Sequence, residues 1–174
     1  MKSNCFPAIS RPDARILILG SLPGQVSLRK NEYYAQLRNG FWRIMGEIFG
    51  FAPDLPYPDR TQRLKENRVA LWDVCASARR PGSLDTKLSD IVANDFSDFF
   101  AKHKSIELIC FNGAKAASIY HSRILASLPR SIAEIPSLRL PSTSPANAAM
   151  PFTQKLSQWK SALNKPDASP GPGL

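Results

Sequence analysis

Three short polar segments carry the residue types with which this chain could do chemistry. Gly20-Ser21-Leu22-Pro23-Gly24 sets glycines and a proline around a serine. Glycine permits backbone geometries that aim N–H groups at an anion or a carbonyl, and proline stiffens the turn. An ordinary strand-to-helix turn would use the same residues. Tyr33-Tyr34-Ala35-Gln36-Leu37-Arg38-Asn39-Gly40-Phe41-Trp42 places aromatics, an arginine and an asparagine just ahead of a helical pattern. Asn39 suits an N-cap; its amide, which donates and accepts, equally suits holding a water. Tyr33 and Tyr34 read either as core aromatics with tethered hydroxyls or as stacking platforms. Pro141-Ser142-Thr143-Ser144-Pro145-Ala146-Asn147 offers short hydroxyls of the kind that meet phosphate oxygens, or simply a turn.

Other chemistries have little to draw on. The cysteines, Cys5, Cys75 and Cys110, are odd in number, widely spaced and without a CxxC pair. That pattern argues against a disulfide framework, a zinc site and a four-cysteine cluster. The histidines are His103 and His121 alone, both in helix-like sequence, which leaves no basis for a Ser-His-Asp triad. Neither GxGxxG nor GxxxxGK[ST] occurs, so a Rossmann or P-loop site is not supported. We expect no metal and no cofactor.

The elements that must position these segments follow from hydropathy. Residues 15–19, 69–74, 107–111 and 137–140 are short apolar runs of the kind that form covered parallel strands. Helical stripes lie between them. Phe41, Ile44, Met45, Ile48 and Phe49 repeat at three- and four-residue spacing, and so do Phe152, Leu156, Trp159 and Leu163. A further helix is expected over 114–125, around Ile119. Strands alternating with helices predict a three-layer α/β/α fold on a central, mostly parallel four-stranded sheet. The polar segments then fall at the carboxyl ends of the strands, with Asn112-Gly113 beside them, where ligands bind such sheets.

The chain has 174 residues, enough for one domain with a real core, expected over 1–164. Residues 165–174, rich in proline and glycine, read as a disordered tail. No apolar run reaches membrane-helix length and the N-terminus lacks a signal-peptide pattern, so a cytoplasmic location is expected. The net charge of +9 suits a polyanionic partner such as nucleic acid.

In order and spacing, the segments at 20–24, 33–42 and 140–147 resemble the hypoxanthine-DNA glycosylase family of the uracil-DNA glycosylase superfamily. Leu71-Trp72-Asp73-Val74, Gly82-Ser83-Leu84-Asp85 and Phe111-Asn112-Gly113 fit the same family, and the resemblance covers residues 14–163. It implies a monofunctional glycosylase that flips a deaminated base, typically hypoxanthine, out of double- or single-stranded DNA. It implies the same α/β/α fold, no lyase step and a part in base excision repair; a monomer is the default expectation. Superfamily branches that activate water with a carboxylate or amide in the first loop hold it where this chain has Leu22. The hypoxanthine family relies instead on the asparagine before Phe-Trp, here Asn39. The resemblance also implies that Gly20, Ser21, Leu22, Pro23, Gly24, Tyr34 and Asn112 receive the base. Ser142, Thr143 and Ser144 would meet phosphates, and Pro145, Ala146 and Asn147 would form a wedge. Arg29, Lys30, Arg38, Arg79 and Arg80 are candidates for a phosphate track. The chain departs from the family where Ala35-Gln36-Leu37-Arg38-Asn39 replaces the frequent Ala-His-Pro-Arg-Asn. The same fold acting on uracil or mismatched thymine, a non-catalytic nucleic-acid-binding domain and a phosphate-binding enzyme are the competing readings.

Overall fold

The computed structural model describes residues 2–81 and 87–164. Gly82-Ser83-Leu84-Asp85 and the tail expected at 165–174 lie outside the described residues. The chain opens with β1 (Lys2–Asn4), β2 (Ile16–Gly20), α1 (Gln25–Lys30), α2 (Phe41–Phe49) and α3 (Tyr57–Glu66). Then come β3 (Val69–Asp73), β4 (Cys75–Arg79), β5 (Ser89–Ala93), α4 (Phe96–Lys102) and β6 (Leu108–Asn112). It closes with α5 (Ala114–Arg123), α6 (Arg130–Ala133), β7 (Ser137–Leu140) and α7 (Phe152–Leu163).

The main sheet has the order β3-β2-β6-β7, and every neighbouring pair is parallel. Side chains alternate between its faces, as the pleat requires. Leu17, Leu19, Ile109 and Phe111 pack on one side with Phe96, Phe99 and Phe100 of α4 and Ile119 and Tyr120 of α5. Ile18, Leu71 and Cys110 pack on the other with Phe41, Ile44 and Met45 of α2, Leu64 of α3 and Trp159 of α7. Each large apolar side chain buried this way contributes about 1.5–3 kcal/mol relative to exposure. The three layers expected from the sequence are therefore present.

β7 coincides with its apolar run, while β2, β3 and β6 differ from theirs by one residue, and for β2 and β6 this matters for the site. Gly20 and Asn112 are the last residues of β2 and β6, not loop, because backbone pairing extends past the hydrophobic stretch. Gly20 pairs with Asp73 and Asn112 with Leu140, which brings four elements to one edge. The helix expected over 114–125 ends at Arg123, and the chain tightens into a 3-10 turn at Leu125–Ser127.

A second, antiparallel sheet of order β1-β4-β5 was not legible in the hydropathy pattern. β4 reads Cys-Ala-Ser-Ala-Arg, and β5 is half-buried at best, so neither shows an apolar alternation. α3 escapes for a similar reason, since Leu64 is its single buried side chain. Among the described residues, no helix is long and apolar enough to cross a membrane.

Candidate active site

The carboxyl edge of the main sheet opens into a cleft of about 700 Å³. Its first wall is the loop after β2. The Val74 amide donates to the Gly20 carbonyl (2.8 Å) and the Cys75 amide to the Ser21 carbonyl (3.1 Å), which pins the loop to the start of β4. Leu22 is buried in the core, so its contribution to the cleft is mainly backbone. Behind it, the Arg80 guanidinium donates to the carbonyls of Leu22 (3.4 Å) and Pro23. Arg80 is buried and braces this loop, so it does not belong to the surface phosphate track.

The second wall is the segment between α1 and α2. Tyr33 is a core residue: its hydroxyl donates toward the Phe6 and Pro7 carbonyls, and its carbonyl accepts from Trp42 Nε1 (2.8 Å). Burial holds its phenol far above the ordinary tyrosine range. Tyr34 turns the other way through a left-handed backbone (φ 54°), a costly conformation for a tyrosine. Its ring stacks on Phe41 at 4.1 Å and lines the cleft.

Asn39 also lines the cleft. Its Oδ1 accepts the Phe41 amide at 3.0 Å, capping α2 one residue ahead of the formal cap, Gly40. An N–H needs an oxygen opposite it, so this contact fixes which end of the amide is which. The Asn39 Nδ2 group makes no hydrogen bond with the described residues. The two readings of Asn39, cap and water-holder, are thus compatible in one side chain.

The third wall joins the ends of β6 and β7. Asn112 Nδ2 donates to Thr143 Oγ1 and the Thr143 amide donates to Asn112 Oδ1, each at 2.9 Å. Gly113 turns at φ +97°, and an added Cβ would lie 3.1 Å from the Cβ of Ser142, so the last loop closes directly over it. Within that loop the Ser144 amide donates to Ser142 Oγ and the Ala146 amide to Ser144 Oγ, both at 3.2 Å. Those hydroxyls accept from the backbone and keep their own protons to donate. Thr143 is buried, and its carbonyl accepts the Gly40 amide (3.0 Å), tying the third wall to the second. Of the expected wedge, Ala146 is exposed, Pro145 is half-buried, and Asn147 donates to the Ser142 carbonyl (3.3 Å).

The residues expected to hold the water, receive the base, meet phosphates or form the wedge all line this one cleft, whereas Arg29, Lys30, Arg38 and Arg79 of the expected phosphate track do not. The sequence reading passed over Lys115 and noted Asp73 only within its strand, yet both line the cleft too. Asp73 is the one acid among the described lining residues, is buried, and ends β3 opposite Gly20. A Cβ on Gly20 would lie 2.6 Å from Asp73 Oδ1 and 2.7 Å from the Tyr34 hydroxyl, so glycine is what lets both approach. An acid closing an apolar run was the available signal. Lys115 stands in the first turn of α5, just past Asn112-Gly113. His103 and His121 sit elsewhere, the first between the Phe99 carbonyl (2.8 Å) and Ser10 Oγ (2.9 Å), the second on the Ala117 carbonyl (2.7 Å). Among the described residues no group of three or more His, Cys, Asp or Glu side chains is placed to hold a metal.

The fold and site define an α/β protein with a loop-walled cleft at the carboxyl edge of a parallel sheet. Comparison with known proteins is specific about which one. The family model of the uracil DNA glycosylase superfamily matches residues 6–165, and the chain belongs to that superfamily. It is 39% identical over 136 residues to a Methanosarcina barkeri protein named hypoxanthine DNA glycosylase, covering 73% of this chain and 86% of that one. A protein of the same name from Methanosarcina acetivorans is 45% identical over 112 residues, 64% of this chain and 71% of the relative. A solution NMR structure from Methanosarcina acetivorans superposes with a TM-score of 0.80 at 37% identity, covering 94% of this chain and 97% of that one.

Proposed function

We propose that this chain is a monofunctional DNA glycosylase that hydrolyses the N-glycosidic bond of deoxyinosine, acting as a monomer on cellular DNA in the cytoplasm. The observation that carries the reading is Asn39. It stands on the cleft wall, its oxygen fixed by the Phe41 amide and its nitrogen uncommitted, within a chain of this superfamily.

Cleavage of the bond leaves positive charge on the sugar and negative charge on the departing base. Such a transition state needs an oriented water and a stabilised leaving group more than a strong nucleophile. Asn39 Nδ2 holds the water, whose oxygen bonds to C1′ as the C1′–N9 bond breaks. One proton of that water goes to the base, and an intact abasic site remains. The Tyr34 ring, backed by Phe41, stacks on the flipped base, a contact worth about 1–3 kcal/mol. Backbone amides of the braced loop at 20–24 face the growing negative charge. The Asp73 carboxylate accepts from the N1–H edge of hypoxanthine, whereas adenine presents a lone pair at that ring position. Ser142 and Ser144 keep hydroxyl protons for phosphates beside the flipped nucleotide.

The test is single-turnover incision of labelled duplexes containing one hypoxanthine, uracil or xanthine, in EDTA, with alkali to reveal abasic sites. Release of hypoxanthine that Asn39→Ala suppresses is the expected result. Cleavage at uracil alone would overturn the base assignment, and tight DNA binding without cleavage would overturn the enzyme.

A further inference from the structure

Among the described residues, the large apolar side chains left exposed are Val92, on β5 of the small sheet, and Leu37, which is 94% exposed. A lone exposed apolar residue needs no explanation by itself. The position of Leu37 does need one. The Asn39 amide donates to the Gln36 carbonyl at 2.8 Å, closing a turn with Leu37 and Arg38 at its corners. Corners of such turns favour glycine, proline, asparagine, aspartate or serine, for their backbone geometry or their hydrogen bonds to the local backbone, and a leucine brings neither. Both feet of this turn, Gln36 and Asn39, line the cleft. The corner therefore stands on the rim beside the proposed water-holding residue. It is also held rigidly, since the Arg38 amide donates to Gln36 Oε1 and the Gly40 amide to the Thr143 carbonyl.

We propose that Leu37 is the side chain that enters the DNA duplex and occupies the space vacated by the flipped nucleotide. The proposal rests on the glycosylase reading given above. Extruding a base leaves an apolar gap between stacked neighbours, and enzymes that distort DNA fill such gaps with an apolar wedge. The last loop is poorly equipped for this. Ala146 exposes only a methyl group, Pro145 is half-buried and the Asn147 amide is engaged with Ser142. Leu37 is the longest apolar reach on the rim, and the neighbouring exposed Arg38 adds a positive charge for the phosphates on either side. A leucine that makes almost no contact in the free protein gains its burial when DNA is bound.

The experiment compares single-turnover release of hypoxanthine from a fully paired duplex and from the same duplex with the base in an unpaired bubble. In the bubble the base is already out of the stack, so a wedge adds little. Leu37→Ala should lower the paired-to-bubble rate ratio by about tenfold, and Leu37→Met should restore it. A 2-aminopurine opposite the hypoxanthine, read with the Asn39→Ala background, should brighten on binding, and brighten less when Leu37→Ala is added. An unchanged ratio, or an equal fall on both substrates, would overturn the wedge. So would a paired-only loss produced by Pro145→Ala and not by Leu37→Ala. An active wild type with an unchanged ratio removes the wedge alone, whereas a wild type that releases hypoxanthine from neither substrate removes the glycosylase reading as well.

Discussion

Asn112 and Thr143 grip each other through both ends of one amide, at 2.9 Å in each direction. The contact joins the end of β6 to the loop that follows β7, so it sets the width of the third cleft wall. Asn112→Ala strips a buried threonine of both partners. We expect a loss of about 1–3 kcal/mol in unfolding free energy and slower cleavage. Asn112→Asp, which keeps the acceptor for the Thr143 amide, should lose less. Urea unfolding midpoints at constant m-value make the comparison; full stability in the alanine variant would show the clamp to be idle.

The cap that Asn39 provides and the water-holding role proposed for it are separable. Asn39→Ala should slow single-turnover cleavage on the order of a hundredfold while damaged DNA still binds. It should also cost about 1 kcal/mol of stability through the lost cap. Asn39→Asp keeps the oxygen opposite the Phe41 amide and should recover that stability. A full cleavage rate in the alanine variant would remove Asn39 from the chemistry.

Gly20→Ala drives a methyl group toward Asp73 Oδ1 and the Tyr34 hydroxyl. Both are ends of side chains, so the fold should survive with them pushed aside. Base capture should suffer, read as a raised KM with a nearly unchanged Tm. An unchanged KM would show that the fit around Gly20 does not matter to substrate.

Arg80 distinguishes a brace from a phosphate contact. Arg80→Ala should impair cleavage by freeing the carbonyls of Leu22 and Pro23. The slope of log binding constant against log salt should stay at the wild-type value, because no phosphate contact is lost. A shallower slope would put Arg80 on the DNA.

Tyr120 bears on alkaline stability. Its hydroxyl is buried beside Phe96 and Phe111 without a hydrogen-bond partner among the described residues. Burial raises its pKa to about 12. The folded state then holds this proton where the unfolded chain has released it, so stability falls as pH rises from about 10 toward 12. Tyr33 and Tyr57, raised for the same reason, act in the same direction. Tyr120→Phe should weaken the alkaline loss and add about 1 kcal/mol at neutral pH by removing an unpaired buried hydroxyl. A thermal scan from pH 7 to pH 11 reads both.

The main sheet and the place of the site were legible because covered parallel strands announce themselves as apolar runs, and ligands gather at their carboxyl ends. The small sheet was not, because β4 and β5 are built of small or half-exposed residues that carry no alternation. That Asn39, Tyr34 and the loops gather around one cleft could be read from their types and order. The buried states of Arg80 and Thr143 could not. An arginine in a basic chain looks like surface, and a threonine between serines looks like turn. What makes them structural is contact with segments far away in sequence, and no local pattern records that.

The hydrogen bond from the Gly40 amide to the Thr143 carbonyl also has a consequence in time. On the ribosome, Asn39 and its helix emerge long before Thr143 does. Until then neither Gly40 nor Asn112 has its partner, and β6 stands as an open edge waiting for β7. The cleft is therefore complete only once the segment that carries Thr143 has docked. A protein stalled or cut short before that point would not be a slower version of this one; it would be an unpaired sheet edge, a target for aggregation or for proteases.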